Sequence, residues 1–594
     1  SAHIAIDPLN NDIVYGGSYG GFLTRVNHDS NTVRGINVWP DNPMGYGAEG
    51  MKYRFQWNFP IHFSKHNPKK LYTFSNHVHV SENEGQSWEI ISPDLTRNDP
   101  EKLKSSGGPI TQDNTGVEYY CTIFAANEST LQEGLMWVGS DDGLIHITRD
   151  GGVNWENITP PQMPKWLMIN SIEPSPFDPA VCYVAGTLYK TGDFKPYLYK
   201  TSDYGKTWVS ITSGIEKEHF TRVLRADPAR KGLLYAGTET GMYISFDDGA
   251  SWNSLQLNLP IVPITDLTLK ENSLIVATQG RSLWMLDDLT VLHQLNSVTE
   301  KDQITLFKPK DSYRTQGRSS KPSLTQGTNL PNGVVVYFNL NNYNEKEDVV
   351  QLHFKENDGT LIKTFSTSSK EDKLIVNKGG NQFVWDSRYE GAETQDGMIF
   401  WSASFSGAKA VPGNYSVELD MNGKIQKQDF TILKDPRAEV SLAEMKEQFD
   451  FVNTVNKTVD DAHIAIGNIR MINEKLSDFE DNYGELEETK NLLAEVKLLK
   501  SELSNIEKAL YQTQNMSGQD PLNFPIRLTN KLGHLNRLVT TNDFPPTQQD
   551  EAVRLELTQK IELQLEHYNK LISDDLEDFN IAFAKLKLDY LNLK

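Results

Sequence analysis

The stretch TSDYGKTW, residues 201–208, decides how the chain must be read, because its pattern is written four times. TRDGGVNW stands at 148–155, SFDDGASW at 245–252 and SENEGQSW at 81–88. Each copy opens on Ser or Thr, has Asp (Asn83 in one) third, Gly fifth and Trp eighth. The Gly supplies the φ > 0 conformation that a tight reversal requires. The Asp or Asn side chain accepts hydrogen bonds from turn amides, and the indole buries a large apolar area. A catalytic site would not be copied four times round one scaffold. Asn83, Trp88, Asp150, Trp155, Asp203, Trp208, Asp247 and Trp252 are therefore assigned to architecture.

Outward from the copy at 245–252, residues 223–255 read as four short strands: Val223–Ala226, Leu233–Gly237, Met242–Phe246 and Trp252–Leu255. Four strands in about 45 residues is the spacing of a propeller blade. Units of this kind recur from IAIDPLNNDIVYGGSYGGFLTRV to LTLKENSLIVATQGRSLWMLDDL, about six in all, some incomplete. The chain opens directly in a strand-like run without Met. The expectation is a β-propeller over 1–295 that is incomplete at its N-terminus, in a chain that is the C-terminal part of something longer.

The octapeptide resembles the Asp-box, or bacterial neuraminidase (BNR) repeat. That repeat occurs in sialidases, in xyloglucanase-like glycoside hydrolases and in the sortilin family of sorting receptors. The stretches YRFQWNFPI, SPDLTRNDP, GGPITQDNTGVEYY and LIVATQGRSLWMLDDL look most like a group of bacterial secreted proteins described as sortilin-like or as glycosyl hydrolases. The resemblance continues through GNQFVWDSRYEGAE and AVPGNYSVELDMNGKIQKQDFTILKDPR. It implies a secreted, periplasmic or cell-surface protein that binds a peptide or protein, or else one that cleaves a polysaccharide.

In such a blade the octapeptides share one face, and the turns between second and third strands share the other with the blade-to-blade connections. The insertions 92–118 and 188–197 fall on that second face, where loops on a rigid scaffold carry binding. The candidate ligand-binding residues there are Tyr53, Arg54, Trp57, Glu118, Tyr119, Asp141, Asp142, Glu239 and Arg281. Each has a plainer reading: Asp141 and Asp142 as turn formers, Trp57 as core, and Arg54 with Glu118 as a staple between blades. Glycoside hydrolysis needs two carboxylates across a cleft. Glu118, Asp142 and Glu239 are the catalytic candidates if the protein is a hydrolase.

Bulk composition narrows the classes. The 594 residues carry a net charge of −21, which excludes a basic nucleic-acid face. No apolar run is long enough to span a membrane. The two cysteines, Cys121 and Cys182, exclude a disulfide scaffold, and the sequence leaves a bridge between them open. His77 and His79 share a strand face without a third ligand, so no metal or cofactor is assigned; structural calcium is left open.

Two further domains follow. Residues 296–330 read as a linker or strap. Residues 331–434 alternate apolar and polar residues, with hairpin signals at Asn357-Asp358-Gly359 and Asn422-Gly423. About seven strands there read as an immunoglobulin- or fibronectin-like sandwich. Residues 440–594 open with the capping box Ser441-x-x-Glu444 and read as a bundle of about four helices that docks to another protein.

Overall fold

The computed structural model describes residues 3–114, 119–295, 302–315, 326–586 and 588. The chain divides into two compact units, Ser1–His293 and Gln294–Lys594.

The first unit is built from six antiparallel meanders that follow one another like propeller blades. Sheet 1 comprises Ile4–Asp7, Asn10–Ser18, Phe22–Asn27 and Thr32–Gly35. Sheet 2 runs from Ile61–Phe63 to Glu89–Ile90, sheet 3 from Ile123–Glu128 to Glu156–Asn157, and sheet 4 from Met168–Pro174 to Val209–Ser210. Sheet 5 runs from Thr221–Ala226 to Asn253–Ser254. Sheet 6 has three strands: Ile264–Lys270, Ser273–Thr278 and Leu283–Leu286. Five apolar layers lie between them. Tyr15 and Leu23 meet Ile61 and Leu71; Phe74 and Val78 meet Ile123 and Val138. Trp137 and Ile147 meet Ile172 and Val184; Ala185 and Leu198 meet Leu224 and Ala236; Tyr235 and Ile244 meet Leu267 and Val276.

The octapeptides join the third and fourth strands of sheets 2 to 5, and their tryptophans point into the stack. Trp208 and Trp252 are buried, at 8% and 3% exposure. Each indole Nε1 donates to a main-chain carbonyl of the preceding sheet's last strand or just beyond it. The pairs are Trp88 to Ile36 (2.8 Å), Trp155 to Ile91 (2.8 Å), Trp208 to Ile158 (2.9 Å) and Trp252 to Ile211 (2.7 Å). Within the turn, the Asp or Asn carbonyl or carboxylate oxygen accepts from the backbone N–H four residues on: Ser87, Asn154, Thr207 and Ser251, at 2.8–2.9 Å. The opening hydroxyl accepts from the Gly N–H at 2.8–2.9 Å.

Two residues per turn adopt the left-handed conformation, not one. The Gly has φ of 80–99°, and the residue before it is also positive: Glu84 (57°), Gly151 (73°), Tyr204 (60°) and Asp248 (62°). The Gly has a second function. A Cβ at Gly205 would stand 2.5 Å from Ile158 Cδ1, and one at Gly249 2.8 Å from Ile211 Cδ1. Each octapeptide thus presses its Gly and hooks its Trp onto the same isoleucine of the previous sheet.

In the second unit, residues 302–315, expected in the strap, supply one strand to each of two sheets. Ile304–Leu306 joins Val334–Leu340 and Gly379–Trp385. Ser312–Arg314 pairs in parallel with Lys424–Lys434, followed by Gly413–Met421, Val350–Glu356 and Leu361–Ser366. Both sheets close on one core, where Phe354 stacks on Trp385 at 4.5 Å.

Helices follow over Leu442–Tyr483, Lys490–Leu510, Leu528–Val539, Gln548–Lys570 and Leu576–Lys585. The last two are joined by a π-turn, Leu571–Asp575, where the sequence suggests one helix. Capping boxes at Ser441/Glu444 and Thr547/Asp550 start the first and fourth. Their apolar stripes form a shared core, from Phe451 and Val455 to Leu503, Leu532 and Ile561. Arg314, 2% exposed, ties sheet to helices. It donates to the carbonyls of Lys409 and Ala410, to Gln448 Oε1 and to the Asp543 carboxylate. Among the described residues no helix is long and apolar enough to cross a membrane. Cys121 and Cys182 are both free and buried.

Candidate functional site

The face opposite the octapeptides carries the sheet-to-sheet connections and the turns between second and third strands. Its polar groups fall into two sets: those that hold the loops, and those that look outward.

Arg54 belongs to the first set. At 6% exposure it donates to the Cys121 carbonyl (3.0 Å), the Asp94 carboxylate (2.7 Å) and Thr96 Oγ1 (3.2 Å). Burial pushes the Asp94 carboxyl up, but donors from Thr96, Arg54 and Asn76 outweigh it and hold it below the ordinary range. The partner of Arg54 is therefore Asp94; Glu118 lies outside the described residues.

Asp141 and Asp142 are 1% and 0% exposed. Asp141 accepts from the Thr122 N–H (2.9 Å) and Thr122 Oγ1 (2.7 Å). Its pKa is pushed up to about 7, by burial first. Asp142 accepts from the Arg97 N–H (2.8 Å) and Ser140 Oγ (2.5 Å), and burial raises its pKa too. Asp142 pins the start of the 92–118 insertion to sheet 3, and Asp141 holds Thr122 in the segment that follows it. Glu239 is held in an ion pair with Arg222 at 2.6 Å. Tyr119 is buried in the connection ahead of sheet 3, whose first strand begins only at Ile123. Arg281 is exposed and donates to the carbonyl of Gly280.

The outward set is aromatic and cationic, and most of it escapes sequence reasoning. In the connection between sheets 1 and 2, Lys52 Nζ lies 3.4 Å from the centroid of Trp39 and 5.3 Å from that of Tyr53. A cavity of ≈ 170 Å³ opens beside them, lined also by Asp41, Tyr46 and Phe55. Trp39 is 48% and Tyr46 61% exposed. Trp57, weighed as core in the sequence, is 39% exposed and meets Tyr19 edge-on at 6.0 Å.

A second cluster follows at sheet 3, where Trp166 lies 5.5 Å from Tyr120, under the Arg97 guanidinium at 5.5 Å. Trp166 has φ of 65°, an uncommon conformation for a bulky side chain that is costly to hold. A third sits at sheets 4 and 5. The 188–197 insertion is an extension of the hairpin Cys182–Leu188/Asp193–Thr201 rather than an open loop. Its half-buried Tyr189 stacks on Phe220, itself buried at 4% exposure (5.1 Å, 12°), with Arg222 over both rings. The signal available in sequence was aromatic residues within polar, aperiodic connections. Among the described residues no cluster of His, Cys, Asp and Glu could hold a metal ion.

No family model and no curated protein matches the chain. Among solved structures it is similar to the GH74 xyloglucanase from Xanthomonas campestris, at 15% identity over 48% of this chain and 44% of that one, with a TM-score of 0.35. It is also similar to YCF48 bound to D1 peptide (15%, 48% and 77%, TM-score 0.33). A third is the extracellular domain of a hybrid two-component system from B. thetaiotaomicron (12%, 73% and 55%, TM-score 0.28). The chain spans less than half the length of that xyloglucanase.

Proposed function

We propose that this is a non-catalytic, extracytoplasmic binding protein of the Asp-box, sortilin-like type. The propeller presents its aromatic face to an extended peptide or protein segment. An immunoglobulin-like sandwich spaces it, and the helical bundle docks it to another protein. One contrast carries the reading: on this face Trp39, Tyr46 and Trp57 look outward while the candidate carboxylates among the described residues are engaged. Asp141 and Asp142 are buried against donors and Glu239 is ion-paired, whereas Trp39, Tyr46 and Trp57 are open. Aromatic side chains offer large, rigid contact area, and a neighbouring cation adds attraction for carboxylate-bearing ligands.

The second reading is a xyloglucanase-like glycoside hydrolase, favoured by the same open rings, which suit sugar stacking. A spot array of 15-residue peptides and a panel of plant and microbial glycans separate the two. The expected result is peptide binding weakened at least tenfold by Trp39→Ala with an unchanged melting temperature. Release of reducing ends that is abolished by Glu118→Gln, Asp142→Asn or Glu239→Gln would establish the hydrolase instead.

A further inference from the structure

We infer that the bare outer face of sheet 1 is the seat for a further sheet of the same repeat, supplied by the same polypeptide ahead of Ser1. The comparison with sheet 5, which has neighbours on both faces, carries this. In sheet 5 the first strand ends Leu224-Arg225-Ala226-Asp227-Pro228; in sheet 1 it ends Ile4-Ala5-Ile6-Asp7-Pro8. Leu224 and Ala226, packed against sheet 4, are 0% and 7% exposed. Ile4 and Ile6, at the matching positions, are 71% and 57% exposed.

The face continues across the sheet. Ile6 pairs with Val14, Val14 with Val26 and Val26 with Val33, so one unbroken apolar row crosses all four strands. Sheet 6 shows the complementary defect. Met242 and Ile244 of sheet 5, packed against sheet 6, are 2% and 3% exposed. Leu283 and Met285 occupy the same register, opposite Ala277 and Ile275, and are 71% and 56% exposed.

A face adapted to water would alternate polar residues outward or carry charges. These rows instead repeat the chemistry of the five buried layers. The order of the chain selects the occupant. At every junction a sheet receives the sheet before it in sequence on the face that Ile4 and Ile6 occupy in sheet 1. The bare face of sheet 1 is therefore the receiving face for preceding polypeptide.

The test compares the 594-residue chain with the protein expressed from its full reading frame, by hydrogen exchange and thermal melting. The expected result is amide exchange at least 100-fold slower over Ile4–Asp7 in the longer protein. Ile4→Asp should lower the melting temperature of the longer protein and leave that of the 594-residue chain unchanged. Equal exchange in both proteins would overturn the inference. So would a 594-residue chain that sediments as a dimer and is made monomeric by Ile4→Asp, because a second copy would then be the occupant.

Discussion

The indole Nε1 of Trp208 donates to the carbonyl of Ile158 at 2.9 Å, fifty residues earlier in the chain and one sheet back. The same bond recurs at Trp88, Trp155 and Trp252, so one hydrogen bond and one buried or half-buried ring mark each contact from sheets 1 and 2 through sheets 4 and 5. Replacing Trp208 with Phe retains most of the apolar contact and strands the Ile158 carbonyl. The expected loss is about 1–3 kcal/mol, the cost of an unpaired buried acceptor. Trp208→Ala adds a cavity and should cost about 3–5 kcal/mol. Denaturant unfolding of the full chain, followed in the propeller, measures both.

Gly205 should be nearly as sensitive as Trp208. Its φ is 86°, and a Cβ there meets Ile158 Cδ1 at 2.5 Å. Gly205→Ala therefore combines backbone strain with overpacking, each costing about 1–3 kcal/mol. The double variant Gly205→Ala/Ile158→Val should recover part of the loss, because shortening the isoleucine makes room for the new methyl. No recovery in a double-mutant cycle would show that backbone strain and the remaining 2.8 Å approach to the Cβ of residue 158 set the cost.

Asp141 makes stability depend on pH in the direction opposite to most carboxylates. Its folded pKa, about 7, lies above the ordinary 3.8, so the fold holds the proton. The contribution is fully present below about pH 4 and is lost as pH rises through 7. Asp141→Asn mimics the protonated form, so its melting temperature should gain on the wild type between pH 5 and pH 8. A constant difference across that range would contradict the assignment. His62 and His79 act with the other sign. Burial lowers both to about 3, so stability is lost as pH falls below 6.5. Two histidines against one carboxyl keep stability rising with pH until the histidines have titrated, so thermal melts should show an optimum near neutral pH.

Arg314 should be irreplaceable by lysine. Its planar fork meets two carbonyls, an amide oxygen and a carboxylate at 1% side-chain exposure, which a single ammonium cannot reproduce. Arg314→Lys and Arg314→Met should each destabilise the second unit, by about 3–5 kcal/mol where Asp543 is left unpaired and buried. Asp543→Asn added to Arg314→Met should restore part of that loss, as read by chemical denaturation.

The repeat was legible because its turn chemistry is local: a hydroxyl, an Asp and a Gly all act within eight residues. The second left-handed residue of each turn was not legible, because Glu84, Tyr204 and Asp248 do not announce positive φ as Gly does. The acceptor of each indole was within reach of sequence reasoning, since isoleucine follows Trp88, Trp155 and Trp208 by three residues. Its role appears only across fifty residues of chain. The membership of the outward clusters was not legible in the sequence. Arg54 was recognisable as a staple, but Asp94 and Glu118 are equally plausible carboxylates until the loop is folded. Trp39, Tyr46, Lys52 and Trp166 sit in aperiodic connections, where no period of 2 or 3.6 separates an outward ring from a buried one.

Every indole hook reaches toward the N-terminus and none toward residues still to come. During synthesis, each new meander leaving the ribosome would find its docking partner already made, and its own isoleucine would become the next landing point. The first unit is thereby suited to stepwise, unidirectional assembly, in which an arrest at one step leaves the earlier sheets in place and the later ones without a platform.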